Sequence, residues 1–253
     1  HMNTQALLLG SGCSLTQAAA AKLREGDVSV AFTGGGGAPA FLLAANHKPT
    51  AYAQRYLRAW LEGEQRQARL ARTLLEHRYR YLACQWLETL SVADLVDPDT
   101  ESTLDAWRER LKGQPVDALR GIEGEHARRL FAALADRFGN EGFRRERGVD
   151  SDPVNRLLDR GNALAYGLGM TACWALGLPN QFALLHGATR ESGLIFDVAD
   201  LAKDAVVMPW AFEYQQANEQ AAIAELKARL HRHNALKTMI ETLKALSSAG
   251  EST

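Results

Sequence analysis

Three short segments set ionisable side chains among apolar or small neighbours. Gly121-Ile122-Glu123-Gly124 places a carboxylate between two glycines, and Leu184-Leu185-His186-Gly187 ends an apolar run on an imidazole. Phe196-Asp197-Val198-Ala199-Asp200-Leu201 carries two carboxylates at i and i+3, on one face of a helix. A carboxylate, a histidine and one or two aspartates form a ligand set suited to Mg²⁺ or Mn²⁺. Such an ion polarises a phosphate and activates a hydroxyl or water. Glycine costs about 1 kcal/mol relative to alanine inside a helix, so two glycines beside Glu123 imply that something approaches the backbone closely there. Taken singly, each segment is more commonly a capped or paired polar group of a core. Spacing alone does not bring the three together.

Other patterns carry less. Gly10-Ser11-Gly12 lacks the third glycine and the downstream acid of a dinucleotide site, and Gly34 to Gly37 lacks the Lys-Ser/Thr of a P-loop. Both read as turns or hinges. There is no G-x-S-x-G elbow, and His231 and His233 fall on different faces of a helix. Cys13, Cys84 and Cys173 are odd in number and form no C-x-x-C pair, which disfavours a disulfide framework or a cysteine zinc site and fits a reducing cytoplasm. Between Arg55 and Arg80, seven arginines face three glutamates, a net of +4, with tyrosines and Trp60 interleaved. This is either a phosphate-tracking surface or a solvated helix face. A second basic set is Arg128, Arg129, Arg137, Arg144, Arg145 and Arg147.

The elements that must hold these residues divide near Pro49. Before it, Ala6 to Leu9 and Val28 to Phe32 read as strands, Ser14 caps an alanine-rich helix, and Phe41-Leu42-Leu43 reads as a further strand. After it the pattern is helical. Leu57, Trp60, Leu61, Ala68, Ala71, Leu75 and Leu82 keep a period near 3.6. The acidic stretch Ser91 to Asp105 reads as an exposed loop, and Val116 to Arg137 as a helix. Asp152-Pro153 starts a helix that Gly177 and Pro179 end. Ile223, Leu226, Leu230, Ile240 and Leu243 mark one last long amphipathic helix. The class is α+β: a small β-rich unit over 3–47, then an all-α unit over 48–253.

The chain has 253 residues, 29 basic and 30 acidic, with 46% hydrophobic and 23% charged. These are globular values and exclude disordered, collagen-like and coiled-coil compositions. His1-Met2 reads as a cloning scar, and no secretion signal is expected. The longest uncharged stretch contains a helical part of only 16 residues, Ala163 to Leu178, against the roughly 20 that span a bilayer. No membrane partner is expected.

Taken in order, these segments resemble the CRISPR-associated Cas-one family, the metal-dependent integrase of spacer acquisition. The resemblance lies in Gly121 to Gly124, Asp152 to Leu158 with Leu164-Ala165-Tyr166-Gly167, Leu185-His186-Gly187, and Leu194 to Leu201, and covers about Thr4 to Leu246. Leu7 to Gly12 and the run Gly34 to Gly37 look most like subtype I-F. The resemblance implies a β-rich dimerisation unit, here about half the usual length, and a helical catalytic domain. It implies that Glu123, His186 and Asp200 bind Mg²⁺ or Mn²⁺, that Asp197 supports them, and that Asn155 and Tyr166 wall the site. Lys203 and Arg190 match DNA-contacting positions. The implied reaction joins the 3′-hydroxyl of a prespacer to repeat DNA, with cleavage of branched DNA by related chemistry. The implied partners are double-stranded and branched DNA, a second copy of the chain, and Cas-two, fused to Cas-three if the subtype is I-F. Two other readings stand beside it: a shortened homologue that binds DNA or partners but integrates poorly, and a helical metal-dependent phosphohydrolase of small molecules.

Overall fold

The computed structural model describes residues 6–10, 12–26, 28–33, 39–43, 50–148, 152–187 and 192–249. The chain is mostly helical. Strands β1 (Ala6–Leu9), β2 (Ser29–Thr33) and β3 (Pro39–Leu43) form one sheet in that order. β1 runs parallel to β2, crossing over through α1 (Gln17–Glu25), and β3 returns antiparallel with a register shift at Phe32/Thr33. Thr16, not Ser14, caps α1, accepting the Ala19 N–H at 3.2 Å. The Ala-rich run offers two hydroxyls at its start, and the one three residues before an orphan N–H takes the bond.

The long apolar period after residue 50 breaks into α2 (Ala51–Leu61) and α3 (Glu64–Leu87), because Gly63 at φ 105° turns the chain. The acidic stretch is only partly a loop. Asp99 caps α4 (Thr100–Leu111) through the Ser102 N–H, and Leu104, Trp107 and Leu111 bury its apolar face. α5 (Val116–Arg137) and α6 (Pro153–Ala175) follow, the latter capped by Asp152 with proline at its first position. The expected single C-terminal helix is two, α9 (Glu219–Arg232) and α10 (Ala235–Ala249). Asn234 at φ 52° stops the first without interrupting the apolar spacing, so periodicity could not report the break.

Between α6 and α9 runs the most buried segment. In α7 (Gly193–Ala202) every residue but Phe196 is buried, so this helix has no solvent face. Two glycines of α6 let its neighbours in: a Cβ on Gly169 would stand 2.8 Å from the Ile195 carbonyl oxygen, and one on Gly161 would stand 2.5 Å from Val207. α7 continues through a wide, π-helical turn (Lys203–Val207) into α8 (Met208–Glu213), where Met208 N–H reaches back five residues to the Lys203 carbonyl. Pro209 has no N–H to give. The Asp204 carbonyl is thereby left to the indole of Trp86, which donates to it at 3.2 Å. Among the described residues no helix is long and apolar enough to cross a membrane.

Candidate metal centre

The loop before α7 is fixed from two sides. From α2, the Tyr56 hydroxyl donates to the Phe182 carbonyl at 2.7 Å and the Trp60 indole to the Ala183 carbonyl at 2.9 Å. The aromatics in and beside the run Arg55 to Arg80 therefore serve the core: Tyr56 is fully buried, Tyr81 donates to the His233 carbonyl, and Tyr79 stacks on Trp107. From α7, the buried Asp197 carboxylate accepts the backbone N–H groups of Leu184 at 2.6 Å, Leu185 at 3.2 Å and His186 at 3.1 Å. Three N–H donors satisfy a carboxylate inside a core without a cationic partner.

The same Asp197 oxygen lies 2.8 Å from His186 Nδ1. A carboxylate oxygen that accepts here leaves Nδ1 as the donor, and in the neutral imidazole Nε2 then keeps its lone pair. Nε2 stands 3.8 Å from Asp200 Oδ2. Two ligands about 2.1 Å from one ion at angles of about 90–110° lie about 3.0–3.4 Å apart, so this pair stands a few tenths of an ångström wider than a bound ion would hold it. Asp200 Oδ2 is buried and receives no hydrogen bond, although an Arg78 nitrogen lies 3.4 Å away. An orphaned carboxylate oxygen beside an oriented imidazole lone pair, with a carboxylate holding the far ring nitrogen, fits a divalent ion of the Mg²⁺ or Mn²⁺ kind.

Glu123 stands at the rim of this centre, on α5, its side chain 22% exposed. It is joined to Asp200 through Arg78, which donates to Glu123 Oε1 at 2.9 Å, faces Asp200 at 3.4 Å, and donates through Nε to Asp204. The three expected ligands thus share one network, but an arginine lies between two of them. Among the described residues no three His, Cys, Asp or Glu side chains gather closely enough to share one ion. Arg120 ties α5 to the histidine loop, donating to the Leu185 carbonyl at 2.6 Å. The glycines beside Glu123 face open space, with nothing within 4 Å of a Cβ at Gly121 or Gly124, so no part of the described chain approaches them closely.

The charges in the centre are mutually held. Burial would raise the Asp200 carboxyl, but Lys203 and Arg78, joined by His186 when its ring is protonated, outweigh it and bring it to about 2. Burial would lower the Lys203 ammonium, but Asp200, 3.0 Å away, and Asp204 raise it. Lys203 is therefore committed to Asp200 in this arrangement. Tyr166 packs edge-on against Phe196, ring centroids 4.6 Å apart, and Phe196 in turn lies against the His186 ring. Asn155 is engaged with the loop after α5. Its oxygen accepts from Arg145 and the Glu146 N–H, and its amide donates to the Arg144 carbonyl, so it clamps the loop after α5. Arg190 lies outside the described residues.

Spacing does not single out Arg78 or Asp204. Arg78 is one of seven arginines in a basic run, yet it falls on the buried stripe Ala71, Leu74, Leu75, Arg78, Tyr81, Leu82, Trp86. An arginine on an apolar stripe is the signal that could have found it. Asp204 follows Asp200 by four residues and shares its face.

The protein-family model described as CRISPR associated protein Cas1 matches residues 2–245. The CRISPR-associated endonuclease Cas1 of Pseudomonas aeruginosa is 39% identical over 267 aligned residues, covering 96% of this chain and 81% of that protein. The protein of the same name from Pectobacterium atrosepticum is 34% identical, covering 97% of this chain and 81% of that one. Among solved structures, a TtCas1–DNA complex superposes with a TM-score of 0.65 at 26% identity, over 95% of this chain and 79% of that one. With a family match over nearly its full length and relatives at this identity, the chain belongs to the Cas1 family of CRISPR associated proteins.

Proposed function

We propose that this chain is a divalent-metal-dependent DNA endonuclease and integrase of CRISPR adaptation, with Glu123, His186 and Asp200 as ligands for Mg²⁺ or Mn²⁺. The observation that carries the reading is the oriented His186 Nε2 lone pair facing the orphaned Asp200 oxygen, in a relative of proteins named endonucleases. The ion supplies Lewis-acid polarisation of a phosphodiester and activation of the attacking hydroxyl. The protein supplies the rest. Asp197 fixes the imidazole tautomer and, through three backbone N–H groups, the path of the loop. Tyr166 and Phe196 limit the swing of the ring. Glu123 and His186 are each partly exposed, so a phosphodiester reaches them from the open side of α5, where Gly121 and Gly124 leave room.

In the proposed reaction, the 3′-hydroxyl of one DNA strand attacks a phosphodiester at a repeat boundary. One P–O bond forms as another breaks, so phosphodiester bonds are conserved and no energy source is required. Water in place of the hydroxyl gives cleavage. Lys203, with Arg190, is assigned to DNA phosphates, which requires Lys203 to exchange part of its contact with Asp200. Residues 3–47 are assigned to pairing of two copies and 48–253 to catalysis, with Cas-two as the further partner.

A binding-only homologue is the second reading, favoured by Arg78 lying between Glu123 and Asp200. Incubation with branched DNA and Mn²⁺ separates them. The integrase reading expects cleavage and strand joining that Asp200→Asn and His186→Ala abolish while DNA affinity survives. DNA binding without metal-dependent products, or unchanged products from Asp200→Asn, selects against it. Log affinity should fall linearly with log salt, and a flat response would instead indicate a small-molecule phosphohydrolase.

A further inference from the structure

Arg78 is 3% exposed, and its guanidinium meets carboxylates from three elements: Glu123 of α5, Asp200 of α7 and Asp204 of the wide turn. The contacts differ in kind. Asp204 is fully buried, and the Trp86 indole holds its backbone carbonyl, so its bond to Arg78 Nε is an anchor. Glu123 is at the rim beside two glycines with open space, so its carboxylate has room to swing away, at the cost of one hydrogen bond to the buried guanidinium. Asp200 Oδ2 is within ion-pair distance of Arg78 but receives no hydrogen bond from it.

Charge makes this arrangement necessary. Asp197 is satisfied by backbone N–H groups, which leaves Glu123, Asp200 and Asp204 against Arg78 and Lys203, three negative and two positive, a formal −1. Without Arg78 the balance is −2, and buried carboxylates left unpaired are strongly destabilising.

We infer that Arg78 is a built-in stand-in cation. Anchored on Asp204, it gathers Glu123 and Asp200 while no ion is present, yields Glu123 when a divalent ion arrives, and sets the affinity of that ion by competing for the same carboxylate. The inference rests on the metal-centre reading above and deepens it: Arg78 is a positioning residue whose contact with Glu123 is the step that ion binding must reverse.

The test is Mn²⁺ binding followed by electron paramagnetic resonance on the full chain without DNA, beside thermal unfolding of the ion-free protein. Arg78→Gln should bind Mn²⁺ about tenfold more tightly, since a cation a few ångströms from the ion is gone. Ion-free, it should melt lower than the parent. Arg78→Lys keeps the charge and should return the affinity toward the parental value. An arginine with a merely structural role predicts the opposite, weaker Mn²⁺ binding along with lost stability. If Arg78→Gln does not fold, Arg78→Met with Asp204→Asn removes the buried pair together. That double variant keeps the formal balance at −1, Glu123 and Asp200 against Lys203, so tighter Mn²⁺ binding there reports the lost competitor. Parental or weaker affinity in these variants, where the parent binds Mn²⁺ in an Asp200-dependent way, overturns this inference alone. A parent that binds no Mn²⁺ overturns the metal-centre reading and this one with it.

Discussion

Asp197 does two tasks with one carboxylate, and substitution should show both. Asp197→Asn keeps the volume but turns an amide NH₂ toward N–H donors, so at least one buried donor loses its acceptor. We expect a loss of about 2–4 kcal/mol in urea unfolding. The imidazole loses the carboxylate that orients it, and such substitutions cost about 10–100-fold in metal affinity, measurable by the same Mn²⁺ titration. Asn155 should separate from this group. Asn155→Ala frees the loop 144–146, and amide hydrogen exchange there should accelerate while Mn²⁺ affinity holds. The residues that break apolar runs, Glu123, His186, Asp197 and Asp200, were legible as letters out of place. Asn155 stands out only through the resemblance, and the loop it clamps is made by backbone groups that no side-chain pattern encodes.

Among the helices, the glycines give opposite predictions for one substitution. Gly169→Ala gains helix propensity but pushes a methyl group to 2.8 Å from the Ile195 carbonyl oxygen and 3.3 Å from the Ala199 Cβ. The carbonyl belongs to a helix buried all round, so α6 and α7 must separate. We expect a net loss of about 1–3 kcal/mol by denaturant unfolding, together with weaker Mn²⁺ binding because α7 carries Asp197 and Asp200. Gly121→Ala meets nothing within 4 Å and is exposed, so it should gain about 0.5–1 kcal/mol. Equal effects at the two positions would mean that the close approach of α6 to α7 is not what Gly169 provides. Periodicity found α3, α5 and α6 because each buries a stripe against a neighbour. It ran through Gly63 and Asn234, because a left-handed residue redirects a chain without changing the spacing of its apolar residues. It missed α4 because acidic residues on the open face hid Leu104, Trp107 and Leu111.

For the molecule as a whole, pH should act first through histidines. Burial lowers the pKa of both His77 and His126, the first also through Arg80, the second against an upward pull from Asp204 and with help from Arg78, Arg110 and Arg129. The unfolded chain therefore takes up protons near pH 6.5 that the folded chain refuses, and stability, full above that value, falls as pH drops toward the lowered folded values. The melting temperature should be lower at pH 5 than at pH 7.5, with most of the loss between them. His126→Phe, whose ring keeps the contacts with Trp107 and Tyr79, should flatten the profile. The carboxylates contribute little there, since Asp200 and Asp159 are both held below the ordinary range and their loss begins at lower pH. The wide turn at Lys203–Val207 bears on the whole chain in another way. It contains one residue more than a regular helix of the same path, and each residue turns a helix by about 100°. A single deletion there would mend the local hydrogen bonding. It would also swing Trp210, α9 and α10 around the axis and take Asp204 away from Arg78 and Trp86. The segment is thus kept out of its own best local geometry by everything that follows it. Length at this point should be far less negotiable than residue type, and a library of one-residue deletions should find 203–207 intolerant even where substitutions at the same positions survive.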